Sequence, residues 1–165
     1  MGVVDLDIFK ETDGILYYNR HLIGFCTYHR IPLLKGPMIA DLAEILRNAA
    51  AECGAQILDM IIETDYVIVD IESDPRQSLH KIVKQMKLRS VGEMQARYPV
   101  IKSRAGAMWT KRYVCMSYGK HSYSIVQEYL TQEKTRPEIE ASRNSQGKVA
   151  MRLETSEDSD RRHLE

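Results

Sequence analysis

The sequence predicts an α+β fold: a four-stranded antiparallel sheet with helices on one face, followed by a C-terminal helix. Three observations point there. β-rich runs and helical periodicities alternate in the order strand, helix, strand, strand, helix, strand. The second and third runs are separated only by Thr64-Asp65, as in a hairpin. A further amphipathic segment then closes the pattern. The 165 residues, 44% of them apolar, suit one compact core and exclude disorder throughout. No run approaches the roughly 18 uncharged apolar residues of a membrane helix, and Met1 to Asp13 lacks the apolar segment of a signal peptide. The three cysteines, Cys26, Cys53 and Cys115, have no metal-ligand spacing. A cytoplasmic protein with buried, reduced thiols is therefore expected.

The elements follow in order. The stretch to Gly14 has no strong period and is read as an N-terminal extension, residues 1–14. Leu22 to Thr27 is the first strand, and Pro32 to Pro37 a turn. From Met38 a helix is predicted, because Ile39, Leu42, Leu46, Ala49 and Cys53 recur at three- and four-residue steps, and Gly54 stands at its left-handed end. Gln56 to Glu63 and Tyr66 to Glu72 form the hairpin. After Asp74-Pro75 a second helix places Leu79, Ile82, Val83 and Met86 on one stripe, with Lys81, Lys84 and Lys87 turned outward. Ser90 to Glu93 reads as a capping box that starts a further short helix, and Pro99 to Gly106 as a basic loop. Arg112 to Tyr118 is the fourth strand. Ser122 to Glu133 is the last helix, with Ile125, Val126, Tyr129 and Leu130. Residues 135–165 read as a polar flexible tail, its closing His163-Leu164-Glu165 set aside as a tag junction. This order is the split β-α-β arrangement of a ferredoxin-like sheet, with its other face open for a partner or a site.

The formal net charge of zero conceals a partition. Residues 1–75 hold thirteen acids and five bases, whereas residues 76–113 hold ten bases and one acid, a local +9. Such a concentration is an electrostatic footprint suited to a polyanion.

With the elements in place, the run from about Tyr18 to Glu133 resembles the single-tyrosine transposases of the insertion-sequence-200 type, within the His-hydrophobic-His nuclease superfamily. The resemblance rests on Arg20-His21-Leu22-Ile23 followed by Tyr28-His29-Arg30-Ile31-Pro32, and on Glu63-Thr64-Asp65-Tyr66-Val67-Ile68 at the histidine hairpin. It continues in Lys87-Leu88-Arg89-Ser90 on the basic helix, Trp109 and Tyr113 before the last strand, and Val126-Gln127-Glu128-Tyr129-Leu130 on the helix that carries the nucleophile. Residues 15–134 are thus read as a transposase-like domain.

The resemblance implies a defined chemistry. Two histidines and a later glutamine hold a divalent cation that polarises the scissile phosphate, and the helix tyrosine attacks to form a phosphotyrosine. The metal matters because a phenol with a pKa near 10 is otherwise a poor nucleophile. Here the histidine positions are Tyr66 and Ile68. Isoleucine has no lone pair, and a neutral phenol is a weak ligand for a hard cation. Asp70 follows on the same strand face, a thin replacement for two imidazoles. Tyr129 occupies the nucleophile position, with Gln132 three residues on and Glu133 at the glutamine's four-residue spacing. Taken as plain residues, Tyr66 and Ile68 are sheet surface, and Tyr129 is a half-buried aromatic.

The expected function is accordingly that of a DNA-binding protein derived from a transposase, with strand cleavage lost and no cofactor. The resemblance implies hairpin or single-stranded DNA as the partner, and the +9 segment supplies Lys81, Lys84, Lys87, Arg89, Arg97, Lys102, Arg104, Lys111 and Arg112 to hold it. It also implies a homodimer whose active sites combine one subunit's hairpin with the other's tyrosine helix. Two alternatives stand beside this: an active transposase using Mg²⁺ or Mn²⁺ through altered ligands, and an oligomerisation or ligand module of the same fold without nucleic acid.

Overall fold

The computed structural model of the chain describes residues 6–132, the side chains from residue 7 onward. The tail expected at residues 135–165 lies outside the described residues. After a short 3-10 turn at Leu6–Ile8, two small strands, β1 (Lys10–Thr12) and β2 (Ile15–Tyr17), pair antiparallel. The turn between them is Asp13-Gly14, with φ of 47° and 76°. Two consecutive left-handed residues make the tight hairpin whose twist matches its strands, and Asp-Gly is a preferred sequence for it. The stretch without a period thus still contains regular structure. Dipeptide chemistry, not periodicity, carries its signal.

The main sheet contains β3 (Arg20–Cys26), β4 (Ala55–Ile62), β5 (Tyr66–Ser73) and β6 (Val114–Ser117), in the spatial order β4-β5-β3-β6. All neighbours are antiparallel, and β3 and β5 are the central pair. With α1 (Pro37–Glu52) and α2 (Leu79–Arg97) as the connections, this is the ferredoxin-like arrangement read from the sequence. Alternation divides each central strand between two faces. Ile23 and Phe25 of β3, with Val67, Val69 and Ile71 of β5, meet α1 and α2 in the larger core. Each fully buried Ile, Leu or Met there contributes about 1.5–3 kcal/mol. Leu22 and Cys26, with Ile68, face the other way.

That second face is not open. α4 (Ser122–Gln132) lies across it, burying Val126 and Leu130 against Leu22, Cys26 and Ile68.

Two local expectations also change. α2 runs unbroken through Ser90-Val91-Gly92-Glu93, so no new helix starts at the capping-box pattern. The Ser90 hydroxyl is engaged elsewhere: it donates to the Lys87 carbonyl (2.9 Å) and accepts from Trp109 Nε1 (2.8 Å). A mid-helix serine bonding back along its own helix needs no break in the helix. Residues Pro99–Ala105 form a helix, α3, rather than a loop. Pro99 is suited to the first helical position, where its missing N–H is no loss, and Gly106 at φ 65° ends the turn. Of the thiols, Cys26 is buried, Cys53 half-buried and Cys115 exposed, so the expectation of three buried cysteines holds only for the first. No described helix is long and apolar enough to cross a membrane.

Candidate functional site

The site is the sheet face beneath α4. Strand alternation brings Tyr66, Ile68 and Asp70 to it from β5, and Arg20, Leu22, Gly24 and Cys26 from β3. α4 begins at Ser122, whose buried hydroxyl accepts from the Gly119 N–H (2.5 Å), and Val126 and Leu130 then project from successive turns of one helix face. The helix can approach because Gly24 lies beneath it. A Cβ at Gly24 would stand 2.7 Å from Val126 Cγ1 and 3.1 Å from both Leu130 Cδ1 and Val114 Cγ1. Ile68 is only 1% exposed, sealed between the sheet and the helix. Tyr66 and Tyr129 are partly buried against the same cluster.

Ion pairs tie down both ends of this face. At one end Asp70, buried, receives Arg20 Nε at 2.8 Å on Oδ1 and Arg20 Nη2 on Oδ2, a fork-to-carboxylate pair. Arg20 stacks over the Tyr118 ring at 3.7 Å, and the Asp70 carboxylate raises its pKa above the ordinary arginine value. Beside α4's first turn, Tyr123 donates to Asp59 (3.2 Å), and burial with that carboxylate pushes the phenol up to about 12. At the other end Arg30 Nε donates to Asp65 (3.1 Å) while Nη1 donates to the Leu130 carbonyl (2.8 Å) on α4, and its guanidinium sits 5.3 Å from the Tyr66 ring centroid. Arg30 reaches both from a turn in which His29 and Arg30 each have positive φ, 52° and 55°. Such left-handed non-glycine residues are costly and persist where surrounding contacts fix them.

The residues present do not fit the divalent cation that the resemblance implies. Ile68 offers no donor atom and has no room beside it. Asp70 is already paired with Arg20, so it does not serve as the replacement ligand considered from the sequence. By alternation His21 belongs to the opposite face, with Ile23 and Phe25. Among the described residues no group of three His, Cys, Asp or Glu side chains could hold a metal. Gln132 is exposed on the last turn of α4, and Glu133 lies outside the described residues. Tyr66 and Ile68 are therefore not open sheet surface, as the residues alone suggest. They are floor beneath a helix.

The basic residues divide into two groups. Lys81 and Lys84 on α2, Lys102 and Arg104 on α3, and Lys111 and Arg112 after it are exposed. Lys87 is drawn inward, donating to the carbonyls of Thr110 (2.9 Å) and Arg112 (2.8 Å), and burial lowers its pKa to about 8. Arg89 bridges Glu52 of α1 (2.5 Å) and Glu93 (3.1 Å), and Arg97 lies near Asp41 of α1 (3.4 Å) and Glu93 (3.5 Å). These three act first as braces within the fold.

Two residues that shape this face, Arg30 and Gly24, are not marked out by the sequence reading. Gly24 carries a readable signal, since an isolated glycine inside a strand often marks close approach of another backbone or side chain. Arg30 lies in the Tyr28–Pro32 motif, but nothing local gives its role on this face, because its partners Asp65 and Leu130 lie 35 and 100 residues away.

Comparison with known proteins agrees with this geometry. Residues 16–133 match the family described as "Transposase IS200 like". The ISDra2 transposase TnpA of Deinococcus radiodurans is 26% identical over 123 residues, covering 73% of this chain and 88% of its own length. A crystal structure of a Deinococcus radiodurans R1 protein assigned as a transposase overlays with a TM-score of 0.70 at 23% identity, over 74% of this chain and 96% of that one. A sheet in the order β4-β5-β3-β6 with a tyrosine-bearing helix after its last strand, and a family match spanning nearly the whole described region, lead to one conclusion: the chain belongs to the IS200-like transposase family.

Proposed function

We propose that this protein binds DNA, in hairpin or single-stranded form, and that it no longer cleaves strands by the metal-dependent route of its family. The observation that carries the reading is Ile68. By the resemblance it takes the position of the family's second histidine, and it is packed between the sheet and Val126 and Leu130 of α4. Admitting a cation there would require both a new ligand and removal of the helix. The exposed bases on α2, α3 and residues 111–112 support retained binding, because phosphate neutralisation by Lys and Arg supplies most of the affinity for a polyanion. β6 lies at the edge of the sheet, and its outward backbone N–H and C=O groups favour pairing with a second copy, so the DNA-binding form is a homodimer.

The test is salt-dependent binding to a pool of DNA hairpins and single strands. The variant changes Lys81, Lys84, Lys102, Arg104 and Lys111 together to Ala. Each of these that meets a phosphate should remove about 0.7–0.9 from the log-log slope. Changing Lys87 or Arg89 instead should destabilise the fold before it alters the slope. Unchanged affinity in the five-site variant would sink the assignment of this surface. A denaturation-resistant protein–DNA adduct formed with Mg²⁺ or Mn²⁺, and lost in Tyr129→Phe, would overturn the loss of cleavage.

A further inference from the structure

Between α3 and β6 the chain has no helix or strand, so tertiary bonds must fix the path of residues 106–113. The first half of this segment is tied to the sheet and to α2. The Met108 carbonyl accepts from the Tyr28 N–H (3.0 Å), and the Thr110 N–H donates to the Cys26 carbonyl (3.0 Å). Trp109 packs edge-on against Phe25 at 4.8 Å and bonds Ser90 of α2. The second half is held differently. The Lys87 ammonium of α2 donates to the carbonyls of Thr110 (2.9 Å) and Arg112 (2.8 Å), on either side of a bend at Lys111. The Thr110 hydroxyl closes the same turn on the Arg112 carbonyl at 3.2 Å. The ring centroids of Phe25 and Tyr113 lie 5.4 and 5.6 Å from the ammonium, within cation–π reach.

Resting on the reading that this protein binds DNA, we infer that Lys87 is a positioning residue for that binding: it does not meet the strand itself but holds Lys111 and Arg112 in the arrangement that does. Two observations carry this. First, Lys111 and Arg112 are exposed, whereas the cation that fixes their backbone is turned inward. An apolar side chain would fill the same site at less cost, since burial lowers the Lys87 pKa to about 8 and so works against its charge. What the ammonium supplies, and a methyl group cannot, is a donor for two carbonyls at once. Second, the bend brings Lys111 to the same cleft as Lys84 of α2, with no Asp or Glu among the residues that line it. Like charges on facing elements repel, so without a brace the segment would move away from α2. Held in place, the cations are preorganised for phosphate, and binding does not have to order them.

The test compares the full-length protein with Lys87→Met, which keeps an unbranched apolar stem but removes the donors, and with Thr110→Val, which removes the hydroxyl that bonds the Arg112 carbonyl. Ile45→Val, a truncation of a buried α1 residue, controls for lost stability alone. Each protein is titrated with a DNA hairpin and with a single strand across a salt series. Each is also digested briefly with trypsin, which cuts after Lys111 and Arg112 where the backbone opens. Lys87→Met should bind both DNAs about three- to tenfold more weakly at every salt concentration, because the segment must then be ordered on binding, with the log-log slope unchanged. Nicking at Lys111 and Arg112 should be faster in Lys87→Met. Thr110→Val should move both readouts the same way by a smaller amount, and Ile45→Val should move neither. A slope reduced by about 0.7–0.9 in Lys87→Met would place Lys87 on a phosphate itself and overturn the inference. Unchanged affinity would overturn it as well, whether or not nicking accelerates, and so would an equal loss in Ile45→Val. Should Lys87→Met not fold, Thr110→Val decides by the same two readouts. Failure of the parent protein to bind either DNA would instead overturn the reading on which the inference rests.

Discussion

Gly24→Ala is the most direct probe of how α4 seats on the sheet. The added methyl would stand 2.7 Å from Val126 Cγ1, where carbon–carbon contacts are optimal near 3.5–4.0 Å, so Val126 must yield by about 1 Å. Two further carbons at 3.1 Å, on Leu130 and Val114, limit where it can go. Overpacking of this kind costs about 1–3 kcal/mol. Restricting the unfolded chain returns about 0.4–1 kcal/mol, leaving a net loss of about 1–2 kcal/mol. Val126→Ala alone removes two methyl groups from a fully buried site and should cost about 1.5–3 kcal/mol with its cavity. Combined, the changes should not add. The methyl introduced at position 24 enters the space vacated by Val126, and the double variant should be no less stable than Val126→Ala, a coupling of at least about 1 kcal/mol. Urea unfolding followed by far-UV circular dichroism and Trp109 fluorescence gives these values from shifts in midpoint at constant slope. A neutral Gly24→Ala, together with additivity within about 0.5 kcal/mol, would refute the packing of α4 over Gly24.

Two other expectations concern the same molecule. Ile68→His, alone or with Tyr66→His, should fail to restore a metal site and should lower stability by about 2–4 kcal/mol, because the imidazole would be enclosed by Leu22, Cys26, Val126 and Leu130 without a hydrogen-bond partner. Isothermal titration with Mn²⁺ should show no saturable binding. Lys87 makes stability pH-dependent in a specific window. Its native pKa, lowered to about 8 by burial, lies below the ordinary 10.5, so between these values the unfolded chain holds a proton the native state has released. Stability should then rise with pH from about 8 to 10.5 at up to about 1.4 kcal/mol per pH unit and be independent of this group below 8. Subtracting the profile of Lys87→Met isolates the effect; identical slopes in the two proteins would refute it.

Much of the fold is legible in the sequence because its signals are local. The 3.6-residue recurrence of Leu42, Leu46 and Ala49, the β-rich run of β5 and Gly54 after α1 each act within a few residues, and the structure follows them. Ser90 shows where a local signal misleads. Its capping-box pattern does not start a helix because Trp109, 19 residues away, engages the hydroxyl. Family membership is likewise legible, since it rests on the order of short motifs. Only the tertiary structure decided the state of the site. Whether Ile68 is open surface or sealed floor depends on α4 returning to the sheet nearly sixty residues later, and on Gly24 leaving room for it. Whether Asp70 is available as a ligand depends on Arg20, fifty residues distant in sequence and diagonal to it across a β-ladder. Whether Lys87 meets DNA or braces a loop depends on two backbone carbonyls more than twenty residues on. The chain supplies the charges, the apolar faces and the glycine, but which of them meet is a property of long-range packing, and that packing closes the sheet face that carries Tyr66, Ile68 and Asp70.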